Sequence, residues 1–255
     1  MIEPLMRLDQ LLVSLGLTPS RTLAQKLIKG NCVEVFLDNK WQVISRSSFQ
    51  FDSNTEIRIL QNELQKFVSR AGLKLEAALA HTNFSVDNLS VLDVGQSTGG
   101  FTDCLLQLGA TRVIGVDVGH DQLHSSLRED KRVFYFEGVN ARAMVANEKL
   151  KQSISAVSLV VMDLSFISQT LVLPQLPLLL SHSFSLISLV KPQFEVGKEG
   201  IGKGGLVKNK ALFSDVEQGI CAALSDLGFT VLDYFESPLK GGDGNKEFFV
   251  YAQKQ

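Results

Sequence analysis

A glycine-rich turn between an apolar strand and a helix is the first feature of the sequence that could do chemistry. The stretch VLDVGQSTGGFTDCLLQLGA begins at Val91 and carries glycines at positions 95, 99 and 100. Because glycine has no Cβ, the backbone can approach a ligand closely, and the N-terminus of the following helix offers free N–H groups and a positive dipole end. We therefore expect Gly95, Gly99 and Gly100 to bind a nucleotide or a similar ligand.

The spacing of these glycines narrows the class of ligand. The dinucleotide-binding pattern GxGxxG and the P-loop ending in Gly-Lys-Ser/Thr are both missing here. The next apolar stretch, RVIGVD, ends in Asp117, which lies 22 positions after Gly95. That spacing is close to the one at which an acidic residue binds ribose hydroxyls in Rossmann sites, and a carboxylate can accept hydrogen bonds from a vicinal diol. Asp117 is therefore predicted to bind a ribose.

The turn resembles the first motif of Rossmann-like methyltransferases. In that motif an acidic residue at the strand end and the small residues after it hold the amino-acid part of S-adenosylmethionine. The resemblance implies that Asp93, Gly95, Ser97 and Gly99 take these places. The predicted cofactor is S-adenosylmethionine.

Apolar strands alternate with amphipathic helical patterns from about residue 66 onward. This alternation predicts an α/β fold with a mainly parallel, doubly wound sheet and a ligand at the carboxyl ends of its strands. The last two strands are joined by SPLKGGDGNKE without a helix, which predicts an antiparallel final strand. The predicted strands are Val91–Val94, Arg112–Val116, Val133–Phe136, Leu159–Met162, Leu186–Val190, Thr230–Phe235 and Phe248–Ala252.

The N-terminal segment has a different pattern. Leucines from Leu8 to Leu15 lie at helical spacing before Gly16, and Ser20 can cap a second helix that ends at Gly30. Strands are predicted at Cys32–Leu37 and Glu56–Leu60, with a turn at Asp38–Asn39. From these patterns we expect a small α+β domain over residues 1–62 and a larger domain over residues 63–255 that includes the connector, with the polar connecting stretch at 61–65.

The run RLDQLLVSLGLTPSRTLAQKLIKGNCVEV resembles the S4 domain, a small RNA-binding module of RNA-modifying enzymes and a ribosomal protein. The resemblance implies that basic side chains of the helix pair face RNA. An ordinary amphipathic helix pair with solvated charges is the alternative interpretation. The residues placed on or near the RNA-binding face are Arg7, Arg21, Lys26 and Lys29.

Composition and charge restrict the function classes. The formal net charge is −2, but residues 1–70 hold nine Lys/Arg against seven Asp/Glu, whereas the rest hold sixteen against twenty. This asymmetry permits RNA binding. The three separated cysteines and the charged start of the chain favour a cytoplasmic protein, and the four histidines lack a metal-binding context. The apolar run from Leu171 to Val190 contains prolines and polar residues, so we predict a buried helix and strand there rather than a membrane span.

Eight motifs in order resemble the TlyA/hemolysin A family of ribosomal-RNA 2′-O-methyltransferases, whose catalytic domain is of the FtsJ/RrmJ type. Besides the S4-like start they are FVSRAGLKL, VLDVGQSTGGFTDCLLQLGA, VIGVDVGHDQL, VVMDLSFIS, LVKPQFEVG, GKGGLVKN and NKEFFVY. The resemblance implies a methyltransferase acting on a cytidine ribose 2′-hydroxyl in ribosomal RNA, with ribosomal RNA or ribosomal subunits as partners. It also implies a catalytic tetrad of Lys74, Asp163, Lys191 and Glu247.

The chemistry explains why such a family uses these residue types. A ribose hydroxyl is a poor nucleophile and must lose its proton as the methyl group arrives. Two lysines beside two carboxylates can leave one amine neutral, because burial and a neighbouring cation both lower the pKa of an amine. We expect Lys191, which ends an apolar strand, to be the base, with Asp163 and Glu247 orienting the lysines.

The sequence departs from the family pattern at two places, and other functions compete. Gln96 stands where the family commonly has alanine, and Gly138-Val139 precede Asn140, which we place in the adenine pocket. The competing functions are a non-catalytic RNA-binding protein, a membrane-acting lysin, and a methyltransferase for a protein or small molecule. The tetrad opposes the first, the broken apolar run opposes the second, and the S4-like start opposes the third.

Overall fold

A computed structural model describes residues 5–60, 66–241 and 244–255. The chain divides into two compact units, Met1–Lys66 and Phe67–Gln255. The predicted polar connector at 61–65 lies outside the described residues.

The first unit contains the predicted helix pair. Helix α1 spans Leu8–Ser14 and helix α2 spans Arg21–Lys29. The hydroxyl of Ser20 accepts a hydrogen bond from the backbone N–H of Leu23 at 3.3 Å, so the predicted N-cap is confirmed. The apolar faces of both helices pack on buried Val33 and Val35 of the adjacent sheet, which is the small core expected from their spacing.

Short strands complete this unit. They are β1 (Met6–Arg7), β2 (Val33–Leu37), β3 (Lys40–Val43), β4 (Gln50–Phe51) and β5 (Ile57–Ile59). Strand β2 lies between β3 and β5, and β1 pairs with β4. The turn at Asp38–Asn39 is confirmed: both residues have positive φ, as in a two-residue hairpin turn. The sequence analysis missed β1, β3 and β4, because such short strands with exposed residues carry little periodic signal.

The second unit is built on a seven-stranded sheet that contains all seven predicted strands. Its order is β11-β12-β10-β9-β6-β7-β8. Strand β12 runs antiparallel to β10 and β11, whereas the remaining neighbours pair in parallel. The predicted fold class is therefore confirmed. The strands are β6 (Ser90–Val94), β7 (Arg112–Val116), β8 (Val133–Phe136), β9 (Val157–Met162), β10 (Phe184–Val190), β11 (Phe229–Glu236) and β12 (Phe248–Lys254).

Helices cover both faces of this sheet, and two apolar clusters result. Leu92 and Val94 belong to one cluster, and Val91, which precedes them, belongs to the other, because successive side chains of a strand point to opposite faces. The α-helices are α3 (Ala71–Thr82), α4 (Gly100–Gln107), α5 (Ser125–Arg128), α6 (Glu148–Ser153), α7 (Gln175–Leu179) and α8 (Ala211–Asp226). Short 3₁₀ helices span Ala141–Ala146, Gln169–Leu171, Pro192–Phe194, Lys198–Gly200 and Lys203–Gly205.

The apolar run from Leu171 to Val190 folds as predicted, into helix α7 and the fully buried strand β10. Across the described part of the chain, no helix combines the length and the apolar character needed to cross a membrane.

The chain changes direction across the sheet between β6 and β9. From β6 it proceeds outward to β7 and β8, and it then returns to β9 and β10 on the other side of β6. Loops leaving the carboxyl ends of β6 and β9 therefore diverge and leave a crevice, which is where open α/β sheets bind ligands.

Candidate active site

The glycine-rich turn lies in this crevice, packed between two neighbouring strand ends. Gly95 donates its N–H to the carbonyl of Val116 at 2.8 Å, and Asp163 donates its N–H to the carbonyl of Val94 at 3.0 Å. Gly95 has φ +89°, and a Cβ placed on it would collide with the backbone oxygen of Asp163. Only glycine fits both the conformation and the space.

Two adjoining cavities open at this edge of the sheet. The larger, of about 790 Å³, falls within the usual volume of a small-molecule site. Its lining includes Asp117, Asn140 and Arg142. The smaller, of about 240 Å³, is lined by Gly100 and Lys191 among others. Both cavities share Gly95, Ser97, Asp163 and Ser165, so Asp163 stands at their junction.

Asp117 organises the wall of the larger cavity. One carboxylate oxygen accepts the backbone N–H of Ser97 at 2.8 Å, and the other accepts that of Gly119 at 2.7 Å. The carboxylate thereby ties the glycine-rich turn to the end of β7. Since each carboxylate oxygen has further acceptor capacity, Asp117 can still bind the hydroxyls of a ribose.

Asp93, which the resemblance assigns to the motif that holds the amino-acid part of the cofactor, lies beneath the cavities and not in their lining. Its side chain is fully buried, and it accepts a hydrogen bond from the hydroxyl of Thr102 at 2.7 Å. Thr102 accepts in turn from the amide of Gln96 at 2.9 Å, so the Gln96 side chain points inward. Asp93 lines neither cavity. Asp93 instead supports the turn through Thr102 and Gln96.

Burial raises the pKa of Asp93 to about 7, the hydrogen bond from Thr102 opposes the rise, and the charges of Asp163 and Asp117 add to it. The folded protein therefore keeps a proton that the unfolded chain loses near pH 4. The stability that the Asp93 carboxyl contributes is fully present below about pH 4 and is lost as the pH rises through about 7.

Asp93→Asn should remove this dependence, because an amide keeps the acceptor for Thr102 and does not titrate. The free energy of unfolding of the variant minus that of the wild type should increase by about 2–3 kcal/mol when the pH is raised from 5 to 7. Urea denaturation at both pH values measures the difference. A constant difference between the two proteins would show that Asp93 does not titrate in this range.

The other cofactor residues divide between the cavity walls and the packing behind them. Asn140 lines the larger cavity, and its side-chain oxygen accepts the N–H of Arg142 at 3.0 Å. Gly100 lines the smaller cavity. Gly99 lines neither: it has φ +92°, and a Cβ on it would collide with Leu127. Gly99 is therefore required for packing against helix α5 rather than for ligand contact.

The four tetrad residues form two ion pairs. Lys74 on helix α3 pairs with Glu247, and both side chains are buried, with 11% and 3% exposed. Lys191 lies 2.6 Å from a carboxylate oxygen of Asp163 and donates a hydrogen bond to the hydroxyl of Ser165 at 2.9 Å. The Lys191 and Asp163 side chains are 12% and 16% exposed, so this second pair retains access to solvent.

The sheet brings the two pairs to one edge. Val190 pairs with Phe248 across β10 and β12, and Lys191 and Glu247 adjoin this pair in sequence. Asp163 follows Met162, which pairs with Ser188 of β10. Lys74 lies on α3 and is connected to the same edge by its ion pair with Glu247. Alternating lysines and carboxylates can hold an amine and a hydroxyl in a fixed relation, which suits proton transfer.

The basic residues predicted in the first unit differ in their surroundings. Lys26 and Lys29 are exposed on α2. Arg7 and Arg21 each lie 3.0 Å from the buried carboxylate of Asp9, which also accepts from Gln25 at 2.6 Å. Burial alone would raise the pKa of Asp9, but these hydrogen bonds hold it well below its ordinary value. Arg21 thus joins α2 to α1, whereas Arg7 contacts Asp9 from the start of α1, and both arginines remain partly exposed.

Several cavity residues were missed by the sequence analysis. Ser165 lines both cavities and contacts Lys191, while Arg142 and Phe166 line the larger one. Phe166 is 91% exposed and has φ +65°. For Ser165 and Phe166, a position shortly after the end of β9 was the available signal, but it does not reveal which way a loop side chain points. Among residues 5–60, 66–241 and 244–255, no three His, Cys, Asp or Glu side chains are grouped to hold a metal ion.

Comparisons with known proteins agree with this geometry. Residues 67–254 match the family model of FtsJ-like methyltransferases, and residues 6–35 match the S4 domain. Hemolysin A of Brachyspira hyodysenteriae is 39% identical over 96% of this chain and 99% of its own length. The 16S/23S rRNA (cytidine-2′-O)-methyltransferase TlyA of Mycobacterium tuberculosis is 38% identical over 98% of this chain and 90% of its own length. A solved structure from Streptococcus thermophilus, 38% identical, has a TM-score of 0.73 and covers 99% of this chain and 89% of that one.

Proposed function

The chain belongs to the FtsJ-like methyltransferase family, and from this premise we propose that it methylates the 2′-hydroxyl of a cytidine ribose in ribosomal RNA, using S-adenosylmethionine. The observation that carries the proposal is the pair Lys191–Asp163 at the junction of the two cavities. A protein that only bound RNA would not need a lysine, a carboxylate and a ligand cavity together at this place. The resemblance to a cytidine-2′-O-methyltransferase supports the choice of ribose and nucleotide.

The larger cavity fits S-adenosylmethionine. Asp117 would bind the ribose hydroxyls, Asn140 would contact the adenine, and the backbone around Gly95 and Ser97 would hold the amino-acid part. Gly95 supports this assignment because the absence of a Cβ lets the turn pack directly against the backbone of Asp163, which lies at the junction of the cavities. When bound, S-adenosylmethionine supplies an electrophilic methyl group.

The protein's own residues then have separate tasks. In its neutral form, reached by loss of a proton to solvent, the Nζ of Lys191 accepts the proton of the ribose hydroxyl, while Asp163 and Ser165 hold that nitrogen at the junction of the cavities. Lys74 and Glu247 form a buried ion pair at the same edge of the sheet, and Glu247 orients Lys74. General acid–base help of this kind commonly contributes about 10²–10⁴-fold in rate.

The first unit is assigned to RNA binding. Its match to the S4 domain supports this role, as do exposed Lys26 and Lys29 and the outer faces of Arg7 and Arg21. We place the working division between RNA-binding and catalytic parts at residues 62/63 and the protein in the cytoplasm, where ribosomal RNA is modified.

Calorimetry with S-adenosylhomocysteine tests the cofactor site. Asp117→Ala removes the ribose-binding carboxylate and two backbone contacts, so we expect affinity to fall about 10- to 100-fold. Asp226→Ala, an exposed aspartate at the end of α8, is the matched control and should bind like the wild type. A folded wild-type protein that binds NADH and not S-adenosylhomocysteine, with or without RNA, would rule out the proposed cofactor.

A further inference from the structure

A polar network adjoins the Asp163–Lys191 pair, and the mechanism above does not use it. Its members are Ser168 and Gln169, after β9, and Ser188 and Glu195, at the end of β10 and beyond. Gln169 and Ser188 are buried. Polar atoms in such surroundings need partners, because an unmet hydrogen bond in the interior is costly.

The network ties the segment after Asp163 to the strand that ends in Lys191. One carboxylate oxygen of Glu195 accepts the backbone N–H of Gln169 at 2.9 Å, and the other accepts the hydroxyl of Ser168 at 2.5 Å. The amide of Gln169 donates to the carbonyl of Leu189 at 2.6 Å and accepts from the hydroxyl of Ser188 at 2.6 Å. Four hydrogen bonds therefore fix residues 168–169 against the end of β10.

The backbone between Asp163 and Gln169 needs such support. Phe166 has φ +65°, a left-handed conformation that is unfavourable for a residue with a bulky side chain. Its ring is exposed. Among the described residues its one aromatic contact is with Phe194, and the two ring centroids are 5.2 Å apart. A strained turn of this kind persists only where neighbouring contacts fix it.

We propose that Glu195 and Gln169 are positioning residues that hold Asp163 and Ser165 at the correct distance from the amine of Lys191. Both ends of the segment are then fixed: Asp163 by its bond to Val94, and residues 168–169 by the network. Ser165, between these ends, meets the Lys191 amine. The inference rests on the proposed function in one respect, namely that this pair handles the ribose proton.

The test compares Glu195→Ala with Glu195→Gln in the full-length protein. Glutamine keeps the network, because its amide oxygen can accept from Gln169 and its NH₂ group can donate to Ser168. Alanine removes both bonds and frees the segment. Glu199→Ala is the matched control, since Glu199 is an exposed glutamate four residues further along.

We expect Glu195→Ala to lower the single-turnover rate at saturating RNA and S-adenosylmethionine by about 10- to 100-fold, as a small misplacement of reacting groups does. Affinity for S-adenosylhomocysteine and the KM for RNA should stay within about threefold of the wild type, and Glu195→Gln should restore the rate. Ser188→Ala removes one bond of the network and is the milder variant, with an expected loss of about 3- to 10-fold.

Two results would overturn the inference. One is a Glu195→Ala protein that unfolds at a lower temperature but transfers methyl groups at the wild-type rate per folded molecule. The other is a Glu195→Gln protein as slow as Glu195→Ala, which would mean that the charge matters and the hydrogen bonds do not. A wild-type protein that transfers no methyl group to RNA would contradict the proposed function instead, so the two failures are distinct.

Discussion

Lys191→Ala should lower the rate of methyl transfer by about 10²–10⁴-fold while cofactor affinity stays close to that of the wild type. The substitution removes the amine that lies 2.6 Å from Asp163 and meets Ser165, and no other described side chain takes its place at the junction of the cavities. Lys191→Arg should be similarly slow, because a guanidinium keeps its proton and cannot act as a base. Single-turnover transfer at saturating RNA and S-adenosylmethionine is the measurement.

Lys149→Ala provides the matched control for this prediction. Lys149 is exposed on α6, which leads to the opposite end of β9, and its loss should leave the rate unchanged. Asp163→Asn and Glu247→Gln should also slow transfer, although the effects need not add. A Lys191→Arg enzyme running near the wild-type rate would remove Lys191 from the role of base and direct attention to Lys74 or to water.

Gly95→Val should weaken S-adenosylhomocysteine binding by about 100-fold or more. The added side chain meets the backbone of Asp163, and the backbone at φ +89° is unfavourable for valine. The turn must therefore shift, which should disrupt the proposed contacts of Ser97 and Asp117 with the ligand. Because each tenfold loss corresponds to about 1.4 kcal/mol, the expected cost is about 3 kcal/mol.

Gly219→Ala is the control that shows whether replacing a glycine elsewhere in the protein also weakens ligand binding. Gly219 lies within helix α8 and has open space around its Cβ position, so alanine there should leave affinity unchanged and favour the helix. Thermal unfolding without ligand reports whether Gly95→Val remains folded. A folded Gly95→Val protein with wild-type affinity would contradict the placement of the cofactor at this turn.

The sheet was predictable from sequence because buried parallel strands have continuous apolar runs. Strand β10, FSLISLV, is buried at every position, and its sequence is a mainly apolar run of this kind. The small strands β1, β3 and β4 gave no comparable signal, and β1 and β4 contain only two residues each, too few for a periodic pattern. Partial exposure alone did not prevent prediction, because β8 and β11 are partly exposed and were both predicted.

The site was predictable in its residue types but not in its contacts. Asp93 and Asp117 both stand at or near strand ends, yet one is buried against Thr102 and the other lines the cavity. The difference depends on which face of the strand each occupies and on how the following loop turns. Likewise, the pairing of Arg21 with Asp9 depends on the packing of two helices, which local sequence does not specify.

The resemblance to a known family supplied what local patterns could not. Lys74 and Glu247 are 173 positions apart in sequence and meet in a buried ion pair. Neither residue stands out by spacing, because the pair forms only when α3 packs near the start of β12. The loop residues Ser165 and Phe166 remained unidentified for the same reason: their orientation is set by contacts made after the fold is complete.

Incubation of the protein with methyl-labelled S-adenosylmethionine and ribosomal subunits, or their naked RNAs, tests the central claim most directly. Mapping the labelled nucleotide by nuclease digestion and mass spectrometry should place the methyl group on a cytidine ribose, and Lys191→Ala should leave the RNA almost unlabelled. A label on a base or on a ribosomal protein would contradict the account. The account would also be contradicted if the RNA stayed unlabelled after incubation with a wild-type protein that binds both S-adenosylhomocysteine and the RNA.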